Sequence, residues 1–390
     1  MARMSTSAPT RRALQTAAVG VGAVTGAAVG GGLAAAAWFA RSVLTPDPRR
    51  PDDVHVLAVG PDTVTFGAAA ETVVPGLYGL WLDGGEGHAR VGEVVEQDAH
   101  AVVRRLVATD RGRLRPGGAR WNQYWYWDSP RVSLGIAHHD VTVVGEDGPL
   151  PAWLVEPERS NGRWAVLVHG RGALREECLR AVPTLRRLGY TCLVLSYRND
   201  IGAPSAPDGR YNLGLSEWRD LEAAMLYAVE HGARGLVLGG WSMGGAIILQ
   251  TLHRSTVGDV VEAVLLDSPV VDWGDVISHH ARLHHLPRVL EVAGTTMMGR
   301  RGARRLVGVH DPVDVAATNW VTRADELTHR MLLQVSVDDE FVPAGPALTL
   351  AAIRPDVVTL ERWDTARHCK EWNLDPSRWE ESVTDFLSRS

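Results

Sequence analysis

Cysteine is scarce in this chain of 390 residues, which contains only Cys178, Cys192 and Cys369. An odd number excludes a fully paired set of disulfides within one chain. The spacing matches neither a CxxC motif nor a zinc-binding pattern, so we expect three ordinary thiols. The cysteines therefore do not indicate a redox compartment.

An excess of positive charge is also lacking, since 40 Lys and Arg stand against 46 Asp and Glu. Phosphate binding needs a basic surface, so the net charge of -6 argues against nucleic acid as the main partner. Hydrophobic residues make up 45% of the chain and charged residues 22%, as in a folded globular protein. At about 150 residues per domain, the length predicts two domains with an appendage.

Charge is absent from residues 13–40, a run of 28 residues rich in Ala, Gly and Val. A helix of about 20 residues crosses the hydrocarbon core of a bilayer, whereas a cleavable signal core has roughly 7–15. We therefore predict that residues 1–44 form a basic arm and a single-pass membrane anchor, with the remainder extracytoplasmic. The alternative is a cleaved export signal and a secreted protein. Gly22, Gly26 and Gly30 share one helix face, which makes a homodimer possible.

Residues 45–138 are predicted to form a β-rich region, with short apolar runs between Gly and Pro. The clearest runs are Val54–Val59, Thr63–Phe66 and Leu77–Leu82. Residues Asp98–Val107 are expected to be helical. The aromatic run Trp121–Trp127 favours packing against the next domain, with a substrate entrance or a membrane surface as alternatives.

From residue 139 onward, apolar β runs alternate with helical stretches, which predicts an α/β domain with a mostly parallel sheet over residues 139–390. The runs include Ala165–Val168, Gly235–Leu238 and Leu332–Val335. Residues 270–330 interrupt the alternation, and we expect this insert to form a lid.

The sequence Gly240-Trp241-Ser242-Met243-Gly244 has the form G-x-S-x-G. It follows an apolar strand and precedes a helical stretch, the context that a nucleophile elbow requires. Glycines suit such a turn because the backbone passes close to its neighbours. Ser242 is therefore the candidate nucleophile.

A serine hydroxyl needs a base, and the base needs an acid that orients it. Asp338 and Asp339 follow one β run, and His368 follows the next. Both positions lie just beyond the carboxyl ends of strands, where open α/β sheets place their sites. In enzymes with a nucleophile elbow, the catalytic residues occur along the chain in the order Ser, Asp, His, and these candidates have the same order.

An oxyanion that forms during acyl transfer needs two hydrogen-bond donors. The N–H of Met243, directly after the nucleophile, is the first candidate. The second should come from the loop His169-Gly170-Arg171-Gly172. We favour the N–H of Arg171, with Gly172 as the alternative.

Residues 140–390 resemble the α/β-hydrolase superfamily, nearest its serine-aminopeptidase-like and Bem46-like branches. The resemblance is carried by His169-Gly170-Arg171-Gly172, Ser196-Tyr197-Arg198-Asn199-Asp200, Gly240-Trp241-Ser242-Met243-Gly244-Gly245, Asp339-Glu340-Phe341-Val342-Pro343 and His368. In that family the acid stands two residues before Val-Pro, which implies Asp339. Arg198-Asn199-Asp200 departs from the commoner Arg-Gly pattern and leaves the shape of the pocket open.

The resemblance implies hydrolysis of an ester, thioester or amide through Ser242, Asp339 and His368, without metal or organic cofactor. We expect a membrane-anchored serine hydrolase that acts on a small acyl substrate or a peptide. The alternatives are an acyltransferase with the same three residues and a non-catalytic binding protein on a hydrolase fold. His280 and His284 have zinc-pair spacing, but no Glu lies between them as H-E-x-x-H requires, so no metal is expected.

Overall fold

The structure is a computed structural model that describes residues 31–32, 34–46 and 51–389. Contacts divide these residues into two compact units. One contains the described residues up to Leu44 together with Ile277–Val313, and the other contains Thr45–Val276 and the chain from Asp314 onward.

The larger unit begins with a closed barrel of six antiparallel strands. Their bounds are β1 Val54–Val59, β2 Thr63–Gly67, β3 Tyr78–Leu82, β4 Gly87–Gln97, β5 Ala101–Arg111 and β6 Gly117–Asn122. They pair in the order β1-β2-β5-β4-β3-β6, and pairing of Val54 with Ala119 closes the barrel. Alternate residues such as Val56, Phe66 and Leu80 fill its interior.

The prediction of a helix over Asp98–Val107 is wrong. Asp98 Oδ1 accepts the N–H groups of His100 (2.7 Å) and Ala101 (2.8 Å), which makes a tight turn into β5. β5 then pairs with β2 on one side and β4 on the other. Buried Val102 and Arg104 alternate with more exposed residues, so strand pairing on both edges outweighs local helix propensity.

The second sheet of the larger unit has eight strands in the order β14-β13-β12-β11-β9-β10-β8-β7. They are β7 His139–Gly145, β8 Gly148–Val155, β9 Trp164–Val168, β10 Thr191–Leu195, β11 Leu236–Trp241, β12 Val261–Asp267, β13 Met331–Ser336 and β14 Val358–Trp363. β8 runs antiparallel to both of its neighbours, and the pairs from β10 to β14 are parallel. Strands β9, β10, β11 and β13 are buried throughout, as expected where both faces are covered. The predicted mostly parallel sheet is confirmed.

Eleven α-helices, besides six short 3₁₀ helices, lie within the described residues. They are α1 over residues 34–44, α2 Pro130–Leu134, α3 Val182–Arg187, α4 Trp218–Glu230, α5 Met243–Arg254, α6 Trp273–Leu283, α7 Arg288–Gly299, α8 Arg304–Val307, α9 Gly345–Ile353, α10 Glu371–Leu374 and α11 Pro376–Ser388. The apolar faces of α3 and α11 share one core with the strands of the second sheet.

The smaller unit joins α1 to α7. A Cβ on Gly294 would lie 2.9 Å from the carbonyl oxygen of Ala36, so the glycine permits close helix packing. The predicted anchor, residues 13–40, lies mostly outside the described residues, as do Gly22, Gly26 and Gly30. None of the helices within residues 31–32, 34–46 and 51–389 is long and apolar enough to cross a membrane.

The aromatic run after β6 packs between the barrel and the second sheet, as the sequence favours. Trp125 and Tyr126 contact the core beneath that sheet. The ring of Tyr126 lies 5.6 Å from that of Trp372. The hydroxyl of Tyr124 accepts the N–H of Leu174 at 2.8 Å. The segment that follows the last strand of the barrel thus contacts loops of the second sheet directly.

Candidate active site

Ser242 occupies the turn between β11 and α5, with φ 51° and ψ −115°. Residues other than glycine seldom adopt a positive φ, and the surrounding structure must hold them there. The N–H of Ser242 donates to Asp267 O (3.0 Å), and its carbonyl accepts the N–H of Val270 (3.1 Å). A Cβ on Gly240 would lie 2.7 Å from the backbone carbonyl carbon of Gly244, so the turn admits only glycine there.

Three predicted site residues form one chain of hydrogen bonds. Ser242 Oγ lies 3.0 Å from His368 Nε2, and His368 Nδ1 lies 2.7 Å from Asp339 Oδ2. The other carboxylate oxygen of Asp339 accepts the N–H groups of Phe341 and Val342, both at 2.8 Å. The carboxylate is therefore fixed by its own turn and orients the imidazole.

Electrostatics favour ionised Asp339 and a basic His368. Burial raises the pKa of Asp339, but His368 and two backbone amides more than offset it and hold that pKa below the ordinary value. Burial lowers the pKa of His368, but the Asp339 carboxylate reverses this effect and holds that pKa above the ordinary value. The imidazole is thus a stronger base than free histidine.

The adjacent acid, Asp338, accepts hydrogen bonds from its own turn and from the histidine loop. Its Oδ1 accepts the hydroxyl of Ser336 at 2.6 Å and the N–H of Arg367 at 2.9 Å. Asp339 therefore contacts the imidazole, whereas Asp338 binds the residue that precedes His368.

Met243 is the first residue of α5, where helix geometry provides no intrahelical acceptor for the backbone N–H. The partial positive charge of the helix N-terminus lies at the same place. Met243 therefore lies where an oxyanion donor is expected, directly after Ser242.

The loop after β9 lies beside this turn, because a Cβ on Gly170 would be 3.1 Å from Ser242 Cβ. Glu177 accepts the N–H of Gly170 at 2.8 Å. The N–H of Gly172, the alternative oxyanion donor, binds the hydroxyl of Tyr211 at 3.1 Å. Arg171, the favoured donor, stands between these two fixed residues.

A buried ion pair, to which the sequence assigned no role, supports that loop. His169 Nε2 lies 2.7 Å from Asp200 Oδ2, and His169 Nδ1 donates to Gly170 O at 3.0 Å. Burial lowers the pKa of His169, but Asp200 and the carbonyl more than offset it and raise that pKa. The ring also stacks on Tyr197 at 4.4 Å. The loop is thus held by the segment that follows β10.

The departure at Asn199 preserves the turn that glycine would make. Asn199 has φ 72°, and asparagine tolerates the left-handed region better than most residues. Its side chain donates to Arg210 O (3.0 Å) and accepts the N–H of Ala206 (2.9 Å). The preceding Arg198 forms a two-pronged ion pair with Asp220 at 2.8 Å.

Two acidic residues, Glu371 and Asp267, lie next to the turn that carries Ser242. Glu371 accepts the hydroxyl of Ser268 at 2.7 Å, and Asp267 accepts the indole N–H of Trp379 at 2.9 Å. The remaining carboxyl oxygens of Glu371 and Asp267 have no donor among the described residues. Burial, with the Asp267 charge, raises the pKa of Glu371 well above its ordinary value. Burial therefore favours the protonated form of Glu371.

Three charged residues that the sequence did not reveal also hold site loops: Glu177, Arg180 and Glu71. Arg180 is 1% exposed and donates to Cys369 O and Asn373 Oδ1, both at 2.7 Å. These partners lie far apart along the chain, and no local motif connects them. Within the described chain, no three His, Cys, Asp or Glu side chains are grouped as a metal site.

Two models of known protein families match parts of this chain. The model of the "Alpha/beta hydrolase family" matches residues 165–383. A second model, described as "Domain of unknown function (DUF8805)", matches residues 55–122, which correspond to the barrel. No curated protein matches the chain significantly.

Among solved structures, the esterase Pf2001 of Pyrococcus furiosus has a similar fold. It is 18% identical with a TM-score of 0.51, over 67% of this chain and 95% of that one. Est1E from Butyrivibrio proteoclasticus is 16% identical with a TM-score of 0.46, over 64% of this chain and 98% of that one.

A mixed, mostly parallel sheet with a serine at a strand–helix turn defines an α/β protein of the hydrolase class. The family match covers more than half of the 390 residues. The chain belongs to the alpha/beta hydrolase family.

Removing the titratable carboxyl of Glu371 should change how stability depends on pH. Glu371 has a raised pKa when folded, so above about pH 4.5 the unfolded chain loses a proton that the folded chain retains, and wild-type stability falls as pH rises. Glu371→Gln can donate to Asp267 without titrating. We expect the melting temperature of the variant, relative to wild type, to increase from pH 5 to pH 8.

The control is Glu381→Gln, which removes an exposed acid from α11. Its difference from wild type should stay nearly constant over the same range. A constant difference for Glu371→Gln as well would show that Glu371 is ionised in the folded protein.

Proposed function

We propose that the chain is a serine hydrolase that cleaves an ester bond through an acyl-enzyme. The observation that carries the proposal is the continuous chain from Ser242 Oγ through His368 to Asp339, at 3.0 and 2.7 Å. A binding protein has no need for a serine in a strained turn within reach of an oriented imidazole.

In the first step, Ser242 Oγ attacks the carbonyl carbon of the substrate while His368 Nε2 takes the hydroxyl proton. Asp339 holds the Nδ1–H tautomer and stabilises the imidazolium that results. The negative charge on the carbonyl oxygen is received by the N–H groups of Met243 and Arg171. The C–O bond to the leaving alcohol then breaks, and His368 returns the proton to that alcohol.

In the second step, a water molecule gives a proton to His368 and attacks the acyl-enzyme. The same amides receive the second oxyanion. Collapse returns the proton to Ser242 Oγ and releases a carboxylic acid. An alcohol in place of water would make the reaction an acyl transfer, so product analysis distinguishes the two activities.

The choice of an ester is supported by the activity named for the Pyrococcus furiosus protein of similar fold. Thioesters and amides use the same steps, and amide cleavage requires protonation of a poorer leaving group. A panel of acyl esters of graded length and aminoacyl amides identifies the substrate class.

Ser242→Ala should abolish labelling by a fluorophosphonate, because Oγ is the atom that displaces fluoride from phosphorus. Ester turnover should fall by at least about a thousandfold, since residual catalysis comes only from binding and the oxyanion donors. Mass spectrometry of the labelled peptide checks the position, and circular dichroism checks the fold. Undiminished labelling of the variant would contradict the assignment.

Asp339→Asn should lower kcat by roughly 10³–10⁴-fold, because the amide favours the wrong imidazole tautomer. Asp338→Asn is the matched control, since its amide oxygen can still accept from Ser336 and Arg367. The reverse order of damage would assign the acid to Asp338.

The wild-type rate should decrease as pH falls through the pKa of His368. The raised value places that midpoint above the roughly 6.5 of free histidine. Asp339→Asn should move it to lower pH.

We also propose that residues 13–40 anchor the enzyme in a membrane, with the hydrolase domain extracytoplasmic. Support comes from the charge-free length and from exposed Trp38 near its end, where interfacial aromatics occur. We expect the native protein to begin near Met1 and to require detergent. A mature start after about Ala37, with a protein soluble without detergent, would instead favour a secreted hydrolase.

A further inference from the structure

We propose that the N-terminal barrel is a positioning element of the active site. In this assignment Glu71 fixes the loop that carries His368, and Gln123 fixes the loop of Gly170. The catalytic part of the inference rests on the proposed function, whereas the positional part does not.

The contact with the histidine loop is a double ion pair. Glu71 Oε1 lies 2.8 Å from Arg367 Nε, and Glu71 Oε2 lies 2.8 Å from Lys370 Nζ. The two cations flank His368 along the chain. Burial raises the pKa of Glu71, but Lys370 and Arg367 more than offset it and lower that pKa. One ionised carboxylate from the barrel therefore holds both sides of the histidine.

The histidine loop needs such support because its backbone is strained. Arg367 has φ 63° and Cys369 has φ 52°, so the residues on both sides of His368 adopt the left-handed region. Non-glycine residues persist there only where surrounding contacts determine their conformation. Without those contacts, the loop would relax and move the imidazole away from Ser242.

The barrel presents Glu71 from a rigid segment. Buried Arg104 on β5 donates to the carbonyls of Thr72 (3.0 Å), Val74 (2.7 Å) and Gly76 (2.8 Å) in the same β2–β3 connection. Its guanidinium lies over two aromatic rings of the barrel core, those of Tyr78 and Trp121. Arg104 thus connects the barrel interior to the segment that carries Glu71.

A second group of contacts comes from two further barrel segments, at Leu77 and at Gln123. Asn373 Nδ2 donates to Leu77 O at 2.6 Å, and Leu77 N–H donates back to Asn373 O at 2.8 Å. The amide of Gln123, just after β6, donates to Glu177 Oε1 at 2.5 Å. The other oxygen of Glu177 accepts the N–H of Gly170. The barrel therefore holds the base-bearing loop and the predicted oxyanion loop together.

The substitution Glu71→Gln removes the charge and keeps the shape. The matched control is Glu93→Gln, which breaks an exposed barrel pair with Arg105 at 3.1 Å. Lys370 is the only lysine in the chain, so lysine-selective ¹⁵N labelling gives one backbone amide signal, two residues after His368. We expect Glu71→Gln to shift and broaden that signal and Glu93→Gln to leave it unchanged.

The kinetic arm uses a soluble p-nitrophenyl ester and the fluorophosphonate. We expect Glu71→Gln to lower kcat and the labelling rate by about tenfold or more, with KM within about threefold, since small displacements of reacting groups affect chemistry more than binding. Arg367→Gln breaks the same contact from the hydrolase side and should reproduce the effect if Glu71→Gln folds poorly. Thermal unfolding identifies variants that fail to fold.

A shifted Lys370 signal with slower labelling supports the proposal. If the Lys370 signal shifts in Glu71→Gln but the fluorophosphonate does not label the wild type, the proposal of a serine hydrolase is rejected. The proposal that the barrel supports this loop is then retained. An unchanged signal in folded Glu71→Gln, or a shifted signal with an unchanged labelling rate, would overturn the positioning role.

Discussion

The site depends on the strained backbone of Ser242, which places Oγ 3.0 Å from His368 Nε2. The strain is maintained by long-range contacts. Strands β11 and β12 run in parallel, and the N–H of Ser242 binds the last carbonyl of β12. Close approach at Gly240 and at the start of α5 excludes side chains that would open the turn. The packed sheet therefore offsets the conformational cost of the strained turn at Ser242.

Buried charged side chains near the site also depend on contacts between distant parts of the chain. The carboxylates of Asp339 and Glu177 each accept backbone N–H groups, and Arg180 donates to backbone and side-chain oxygens of the histidine loop. Buried ions need such partners because desolvation is otherwise severe. Burial instead raises the pKa of Glu371, which favours its protonated form. Polar groups near the site are thus used mainly to fix loops whose backbone would otherwise be free to move.

The strand, turn and helix around Ser242 could be predicted because local sequence determines them: an apolar run, a glycine-flanked turn and a helical pattern are contiguous. The order of Asp339 and His368 could be predicted because each follows its own strand. The support of these residues could not. Glu71 and Glu177 carry no local signal, since their partners are brought close only by the complete fold. The strand β5 was missed for the same reason, because pairing with β2 and β4 decides its conformation.

The barrel has its own interior of apolar residues and its own closing strand pair, yet Glu71 and Gln123 reach out of it to the two loops beside the serine. A domain that only added stability could bury any surface of the hydrolase unit. Here the contacts concentrate on short connections, which are the parts of an α/β sheet whose positions the strands fix least. The strands place Ser242 directly, whereas the imidazole is held through a loop. The geometry of the pair is therefore set by two sources: the parallel sheet for Ser242, and the fit between barrel and loop for His368.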